Sequence, residues 1–400
     1  MAYFTMKDFD FKGKRVLLRV DYNVPVNKQG EIEDDSRISE SMPTVKYLID
    51  KGSKLIVITS FGRPNGAVVE NLRVDRIAQR MEKIVGKKVT KLNDCVGPEV
   101  ENAVNAMKPG DIVFLENAEF YPGELEKDKA KRNEFAKKLA GFGDLFVNDG
   151  YAKSHRKNAS MVGIPEYLPG CAGLLVEKEL KAVQPLIKNP KHPYIAIIGG
   201  AKADKIDSIR ELLPKVDMLI IGGMLANTFL KANGVDIKAS KCDEASISAA
   251  KQILEANGRK IMLPVDAVAG DKFDAKAKSK VVQLANVPEG WLIMDIGPET
   301  AAIYCGALKD AKTVAWCGPI GVFEFDKFSA GTKAVAEELA KSRAFVFIGG
   351  GESADAVRKF GLAEKMGFIS TGGGATLEML QKGELPAIKA LEENYKKFRK

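Results

Sequence analysis

Four hundred residues, 45% hydrophobic and 28% charged, have the balance of a globular chain and exclude a disordered or fibrous one. The length exceeds one ordinary domain and suits two. Sixty-one basic against 53 acidic residues leave a net charge of +8, which suits nucleic acid, an anionic membrane or a phosphorylated small molecule. The charges mostly alternate along helical stretches. The one concentrated basic patch, Tyr395–Lys400, has no helix-turn-helix, RNP-like aromatic motif or arginine-rich arm beside it, so no nucleic-acid partner is expected. No apolar run approaches the roughly 18 residues that cross a bilayer, and the charged start MAYFTMKDFDFKGK has no secretory h-region. The expectation is a cytoplasmic protein with no membrane partner. Five scattered cysteines without a C-x-x-C pair argue against a disulfide framework or zinc knuckle, and two histidines rule out a multi-histidine metal site.

Along the chain, short apolar runs rich in β-branched residues alternate with longer amphipathic stretches. Strands are predicted at Arg15–Val20, Leu55–Thr59, Ile112–Leu115 and Leu145–Val147. They continue at Tyr194–Ile198, Met218–Ile221, Ile261–Val265, Leu292–Ile296, Thr313–Trp316 and Phe345–Ile348. Most are apolar on both faces, as strands inside a parallel sheet are. Helical patterns lie between them, among them Val69–Val85, Glu99–Met107, Lys129–Leu139, Glu244–Ala256 and Ala330–Lys341. This alternation specifies an α/β fold with helices on both faces of each sheet. The turn-like PEYLPG, the helical stretch Leu174–Ile187 and the break KNPKHP place a division near Glu166–Pro193, giving two α/β domains of similar size joined by a helix.

Chemistry-bearing residues cluster just after the strands, where open parallel sheets bind ligands. Asp21 and Asn23 follow the first strand, Gly62 and Arg63 the second, Asn148 and Asp149 the fourth. Four glycine clusters, Gly199–Lys202, Gly222–Met224, Gly349–Ser353 and Gly372–Thr376, follow strands or open helices, where free N–H groups attract phosphate. Any one of them alone reads as a tight turn; four in one half of the chain favour phosphate. No G-x-x-x-x-G-K-[ST] is present, which excludes a P-loop. GGGESA satisfies G-x-G-x-x-A, but no acid follows at Ile369-Ser370-Thr371, which makes a nicotinamide dehydrogenase a weak second choice. Lys202 and Lys205 suit neutralisation of a phosphate chain. Arg19, Arg37, Arg63 and Arg156 suit bidentate grip on phosphate or carboxylate.

Taken in this order, RVDYNVP, DCVGPEV, LENAEFYPGE, FVNDGYAKSHRKNAS, GGAKADKI, IIGGMLANTFLKA, DIGPET, WCGPIGVFEFDKFSAGT, GGGESA and ISTGGGATLEML resemble the segments of the phosphoglycerate kinase family over nearly the whole chain. The resemblance implies two Rossmann-like parallel-sheet domains joined by a hinge helix. Residues 1–172 would form the 3-phosphoglycerate domain, 173–190 the interdomain helix and 191–385 the nucleotide domain. Residues 386–400 would pack back on the first domain. It implies a monomer acting on small-molecule substrates, ATP or ADP with Mg2+ and 3-phosphoglycerate, and closing on its hinge. By the same resemblance, Asp21, Tyr22, Asn23, Ser60, Phe61 and Gly62 would surround the glycerate. Arg37, Arg63 and Arg156 would grip the substrate phosphate or the transferring group. Lys202 and Lys205 would contact the nucleotide phosphates and the moving phosphoryl. Gly222, Gly223, Glu324, Gly350, Gly351, Glu352 and Ser353 would line the nucleotide, with Glu352 near magnesium, and the helix opened by Gly373 and Gly374 would point at the reaction centre.

The chain departs from the family pattern at several places. Ser60 stands for the histidine of S-H-L-G-R-P, Glu119 for the arginine of E-N-V-R-F, and Asn158 for a second histidine after His155-Arg156. GGAKADK is one residue shorter than its family counterpart, Cys317 replaces an asparagine, and Glu352 an aspartate. Acid at 119 near the substrate phosphate would repel it by roughly 3 kcal/mol at about 6 Å and an effective dielectric of about 20. Glu119→Arg is therefore expected to lower KM for 3-phosphoglycerate, unless Lys153 or Lys157 offsets the charge. An active kinase is the first reading; a paralogue acting on another carboxylate and a non-catalytic nucleotide-binding protein are the alternatives.

Overall fold

A computed structural model describes residues 2–200 and 206–399. The chain divides into two compact units, Met1–Lys181 with Glu384–Lys400, and Ala182–Gly383.

The first unit is built on six parallel strands: β1 (Arg15–Arg19), β2 (Lys54–Ile58), β3 (Val89–Lys91), β4 (Ile112–Phe114), β5 (Leu145–Asn148) and β6 (Gly170–Ala172), in the order β3-β4-β2-β1-β5-β6. Val16, Leu17, Leu18, Leu55, Ile56, Val57 and Ile58 are all buried, because helices cover both faces and leave no solvent side for a polar alternation. The strand order reverses between β1 and β5, a switch point of the kind at whose carboxyl edge open parallel sheets bind ligands.

The C-terminal helix Pro386–Phe398 belongs to this unit. Buried Asn394 fastens it: Nδ2 donates to the carbonyls of Pro165 at 2.6 Å and Leu168 at 2.7 Å, and Oδ1 accepts the Gly170 N–H at 3.0 Å. Asn394→Ala strands those backbone groups, so it is expected to cost about 2–4 kcal/mol, read from the urea unfolding midpoint. An unchanged midpoint would mean that water replaces the amide.

Helix Leu174–Lys188 runs across the division, which falls between Lys181 and Ala182. Its first amides are capped from the first unit. Asp149 Oδ1 accepts the Leu175 and Val176 N–H groups at 2.9 and 3.3 Å, and Thr44 Oγ1 accepts Leu174 N–H at 2.9 Å. Only glycine fits at 173, where a Cβ would lie 2.2 Å from Asp149 Oδ1.

The second unit repeats the plan with β7 (Tyr194–Ile198), β8 (Met218–Ile221), β9 (Ile261–Met262), β13 (Thr313–Cys317), β14 (Phe345–Gly349) and β15 (Phe368–Ser370) in the parallel order β15-β14-β13-β7-β8-β9. Its switch point lies between β7 and β13. Trp316 is wholly buried in β13, its Nε1 donating to Gly318 O at 2.7 Å.

The unit holds a second sheet that the sequence reading did not anticipate, antiparallel β11-β10-β12, with β10 at Asp266–Gly270, β11 at Ser279–Gln283 and β12 at Leu292–Ile296. The run Ile261–Val265 is thus a strand only to Met262, and Leu292–Ile296 pairs in the small sheet rather than the parallel one. The expected helix Val69–Val85 starts at Asp75, because Arg73 adopts extended backbone after the turn Glu70–Leu72. Buried Glu116 takes both the Arg73 guanidinium and the Val74 N–H there.

Candidate active site

In the first unit, the loops at the carboxyl ends of β1, β2, β4 and β5 are tied into one edge. After β1, Asp21 pairs with Arg37 on helix Ser36–Asp50, and Asn23 Oδ1 accepts the Gly62 N–H at 2.9 Å. Tyr22 is buried, its N–H donating to Thr59 Oγ1 at 3.0 Å and its hydroxyl bonded to Ser41 at 2.6 Å. Burial drives that phenol well above its ordinary range.

The loop after β2 carries Ser60, Phe61, Gly62 and Arg63. Asn117, which the sequence reading passed over, clamps it: Nδ2 donates to the Phe61 and Leu72 carbonyls at 2.7 and 3.0 Å, and Oδ1 accepts Phe61 N–H at 3.2 Å. The available signal was an asparagine placed just past a strand, where side-chain amides stand in for missing backbone partners. Ser60 and Phe61 are buried in the wall, whereas Arg63 and Arg156 are exposed with no side-chain partner among the described residues.

Arg19 does not face a ligand, contrary to the reading of arginines at strand ends. It is wholly buried, its Nε donating to Ser160 Oγ at 2.7 Å, Nη2 to Ser60 Oγ at 3.1 Å and Nη1 to the Val20 carbonyl. Ser160 in turn donates to Glu124 at 2.6 Å, and Asn158 donates to the same carboxylate at 3.2 Å. Glu124 is pushed up by desolvation, with the Arg19 charge opposing. Asn158 therefore lies in a buried network.

Glu119 is buried, and Lys153, on the turn Tyr151–Lys153 after β5, supplies its ion-pair partner. Lys157 is exposed. The acid that the sequence reading set against the substrate phosphate is already neutralised, which removes the ground for expecting Glu119→Arg to lower KM.

Asp149 completes this edge. Burial raises its carboxyl to about 7, with the Thr44, Val176 and Leu175 hydrogen bonds opposing. Because the folded value lies above the unfolded value of about 4, the native state holds its proton to higher pH, and this group's contribution to stability falls as pH rises from about 4 to about 7. Asp149→Asn keeps an acceptor for the helix amides but cannot ionise. Its stability relative to the parent is expected to improve across that window, measured by urea midpoints at pH 5 and pH 8. A difference that does not change with pH would contradict this assignment.

Among its described residues, the second unit contributes mainly backbone. Gly200 (φ +83°) and Gly223 (φ +61°) occupy the left-handed region, and a Cβ on Gly223 would lie 2.6 Å from Gly200 N. Gly222 is the N-cap of helix Gly223–Ala232, Gly350 (φ +103°) that of helix Gly351–Lys359, and Gly373 that of helix Gly374–Lys382. The last two abut: a Cβ on Gly373 would lie 3.3 Å from Gly350 Cα. Three helix N-termini thus stand along the carboxyl edge of one sheet, the arrangement that binds phosphate. Ser353 is buried, its hydroxyl accepting the Gly318 N–H at 2.6 Å. Glu324 is exposed, and its carbonyl accepts Lys359 Nζ at 3.1 Å. Lys202 and Lys205 lie outside the described residues.

Glu352, in the first turn of helix Gly351–Lys359, is exposed and has no ion-pair partner among the described residues. No cluster of three metal-ligating side chains occurs among the described residues. One carboxylate with no ion-pair partner among the described residues, beside helix N-terminal amides of the kind that suit phosphate, fits Mg2+, which keeps most of its waters and takes phosphates plus one or two carboxylates.

Comparison with known proteins places this geometry. The sequence model of the family described as Phosphoglycerate kinase matches residues 6–383. A phosphoglycerate kinase of Moorella thermoacetica is 47% identical over 397 residues, covering 98% of this chain and all of the relative. That of Desulforapulum autotrophicum is 45% identical over 393 residues, covering 97% and 100%. Among solved structures, phosphoglycerate kinase from Coxiella burnetii superposes with a TM-score of 0.83 at 37% identity, covering 98% of this chain and 99% of that one. The Pyrococcus horikoshii enzyme superposes with a TM-score of 0.90 at 33% identity, covering 99% and 100%. With its two parallel-sheet units and a family match from residue 6 to residue 383, the chain belongs to the phosphoglycerate kinase family.

Proposed function

We propose that this chain transfers a phosphoryl group reversibly between ATP and the carboxylate of 3-phosphoglycerate, giving ADP and 1,3-bisphosphoglycerate. The observation that carries the reading is whole-length kinship with phosphoglycerate kinases at 47% and 45% identity. The site supports it: cations on the carboxyl edge of the first unit suit an anionic acceptor, and three helix N-termini in the second suit a phosphate chain.

On this reading, Asp21 and Asn23 hold the glycerate end, Asp21 also fixing Arg37. Tyr22, Ser60 and Phe61 build the wall behind them. Arg37, Arg63 and Arg156 bind the anionic groups of the acceptor. The amides at Gly350, Gly351, Gly373 and Gly374 bind nucleotide phosphates, while Gly222 and Gly223, whose own N–H groups donate to the Ile198 and Ile320 carbonyls, let the backbone pass close to the nucleotide. Ser353 supports the phosphate side through Gly318, and Glu324 takes the ribose. Lys202 and Lys205 neutralise the transferring group. Magnesium, when bound near Glu352, neutralises phosphate charge.

A carboxylate oxygen of the acceptor attacks the γ-phosphorus in line, and the bond to the ADP oxygen breaks as the new P–O bond forms. No covalent enzyme intermediate is needed. Charge spread over the transferring oxygens is met by preorganised cations and amides. Exclusion of water protects the acyl phosphate from hydrolysis. The protein acts as a monomeric cytoplasmic enzyme of glycolysis or gluconeogenesis. A coupled assay with Mg-ATP and a panel of carboxylates tests the acceptor. 3-Phosphoglycerate should give the highest kcat/KM, and preference for an acceptor lacking the distal phosphate would establish the paralogue instead.

A further inference from the structure

The geometry points to Lys153 as an acceptor-binding cation of this chain, with Glu119 as the residue that positions it; the assignment rests on the functional reading above. Glu119 follows β4, and its side chain is only 6% exposed. Its one side-chain partner among the described residues is Lys153 Nζ. The lysine is itself 19% exposed and stands on the turn that follows β5. Both residues therefore sit at the carboxyl edge of the sheet, where ligands bind.

An ammonium has three donors. Glu119 takes one, and no other acceptor for Lys153 Nζ occurs among the described residues. Two N–H groups therefore remain for a ligand on a cation whose long side chain is held by a buried carboxylate. A buried ion pair adds little net stability, so orientation is its better-founded use.

Backbone bonds draw the other free cations toward this pair. Gly66 N–H donates to Glu119 O at 3.0 Å, pinning the loop that carries Arg63 to the turn that carries Glu119. Arg156 N–H donates to Lys153 O at 2.9 Å, so Arg156 shares the lysine's turn. Arg63 and Arg156 have no side-chain partner among the described residues. Since Glu119 cancels the long-range charge of Lys153, what the lysine adds is a directed, short-range hydrogen bond to an anionic oxygen. The distal phosphate of 3-phosphoglycerate is the anion of the acceptor suited to Lys153 together with these arginines.

The test is steady-state kinetics of the full-length enzyme with Mg-ATP and 3-phosphoglycerate. Lys153→Met is expected to raise KM for 3-phosphoglycerate about 10–100-fold, the worth of one charge-assisted hydrogen bond, with KM for Mg-ATP unchanged and kcat largely kept. That substitution leaves Glu119 as a buried, unpaired carboxylate. The double variant Glu119→Gln/Lys153→Met removes both charges, so it should recover the thermal midpoint and part of the KM while remaining weaker than the parent. Lys153→Arg should stay near the parent. A double variant with the parent's KM, or variants that lose thermal stability with KM unchanged, would overturn the assignment and leave a wall ion pair. A parent that fails to turn over 3-phosphoglycerate overturns the functional reading and this assignment together, whereas an active parent with an unaffected double variant overturns this assignment alone.

Discussion

Lys205→Ala should lower kcat about 100–1,000-fold while leaving KM for 3-phosphoglycerate little changed. Negative charge builds on the oxygens of the transferring group only as the reaction proceeds, and preorganised donors aimed at such charge are worth about 2.7–4 kcal/mol each. A cation acting there stabilises the transition state more than either bound substrate, so its loss falls on kcat. GGAKADK is one residue shorter than its family counterpart, which makes Lys202 the competing candidate. Lys202→Ala measured beside it separates the two. An unaltered kcat in Lys205→Ala, with the loss appearing in Lys202→Ala, transfers the role.

Gly199→Ala should be the most damaging single methyl in the nucleotide half. A Cβ there would lie 2.0 Å from Pro319 O and 2.9 Å from Gly318 O, both backbone atoms that cannot swing aside. Gly199 N–H donates to Cys317 O at 3.1 Å and Gly200 N–H to Pro319 O at 2.8 Å, so relief requires the β7 and β13 loops to part at the switch point. Overpacking of this kind costs about 3 kcal/mol, and misplacing the cradle by about 1 Å costs about 100-fold in kcat/KM for ATP. Binding of 3-phosphoglycerate to the first unit should persist. Gly306→Ala is the control: nothing lies within 4 Å of its added methyl, and inside helix Pro298–Leu308 it should be neutral or stabilise by about 0.4–1 kcal/mol. Equal effects from the two substitutions would refute the steric argument.

The parallel sheets were legible because β1, β2, β7, β8, β13 and β14 are continuous apolar runs, which only burial on two faces requires. The small antiparallel sheet was not. Its edge strand Ser279–Gln283 is exposed at four of five positions and reads as a polar loop, and β10 consists mostly of small residues. β3, β6 and β15, of three residues each, carry too little pattern to register. At the site, glycines announced the tight turns at the helix N-termini because their conformational demand is local. The fate of charged residues depends on partners far along the chain. Arg19 read as a residue that grips an anionic ligand, yet its guanidinium is taken up by partners that include Ser160, 141 positions away. Glu119 looked like a burden until Lys153, 34 positions on, was seen to neutralise it.

The central claim, that this chain moves a phosphoryl group onto the carboxylate of 3-phosphoglycerate, is tested most directly by catching the acyl phosphate. The protein is incubated with Mg-ATP and 3-phosphoglycerate in the presence of hydroxylamine, which converts acyl phosphates to hydroxamates. Hydroxamate should then accumulate in step with ADP. ADP formed without hydroxamate, or neither product while another carboxylate yields both, would contradict the account.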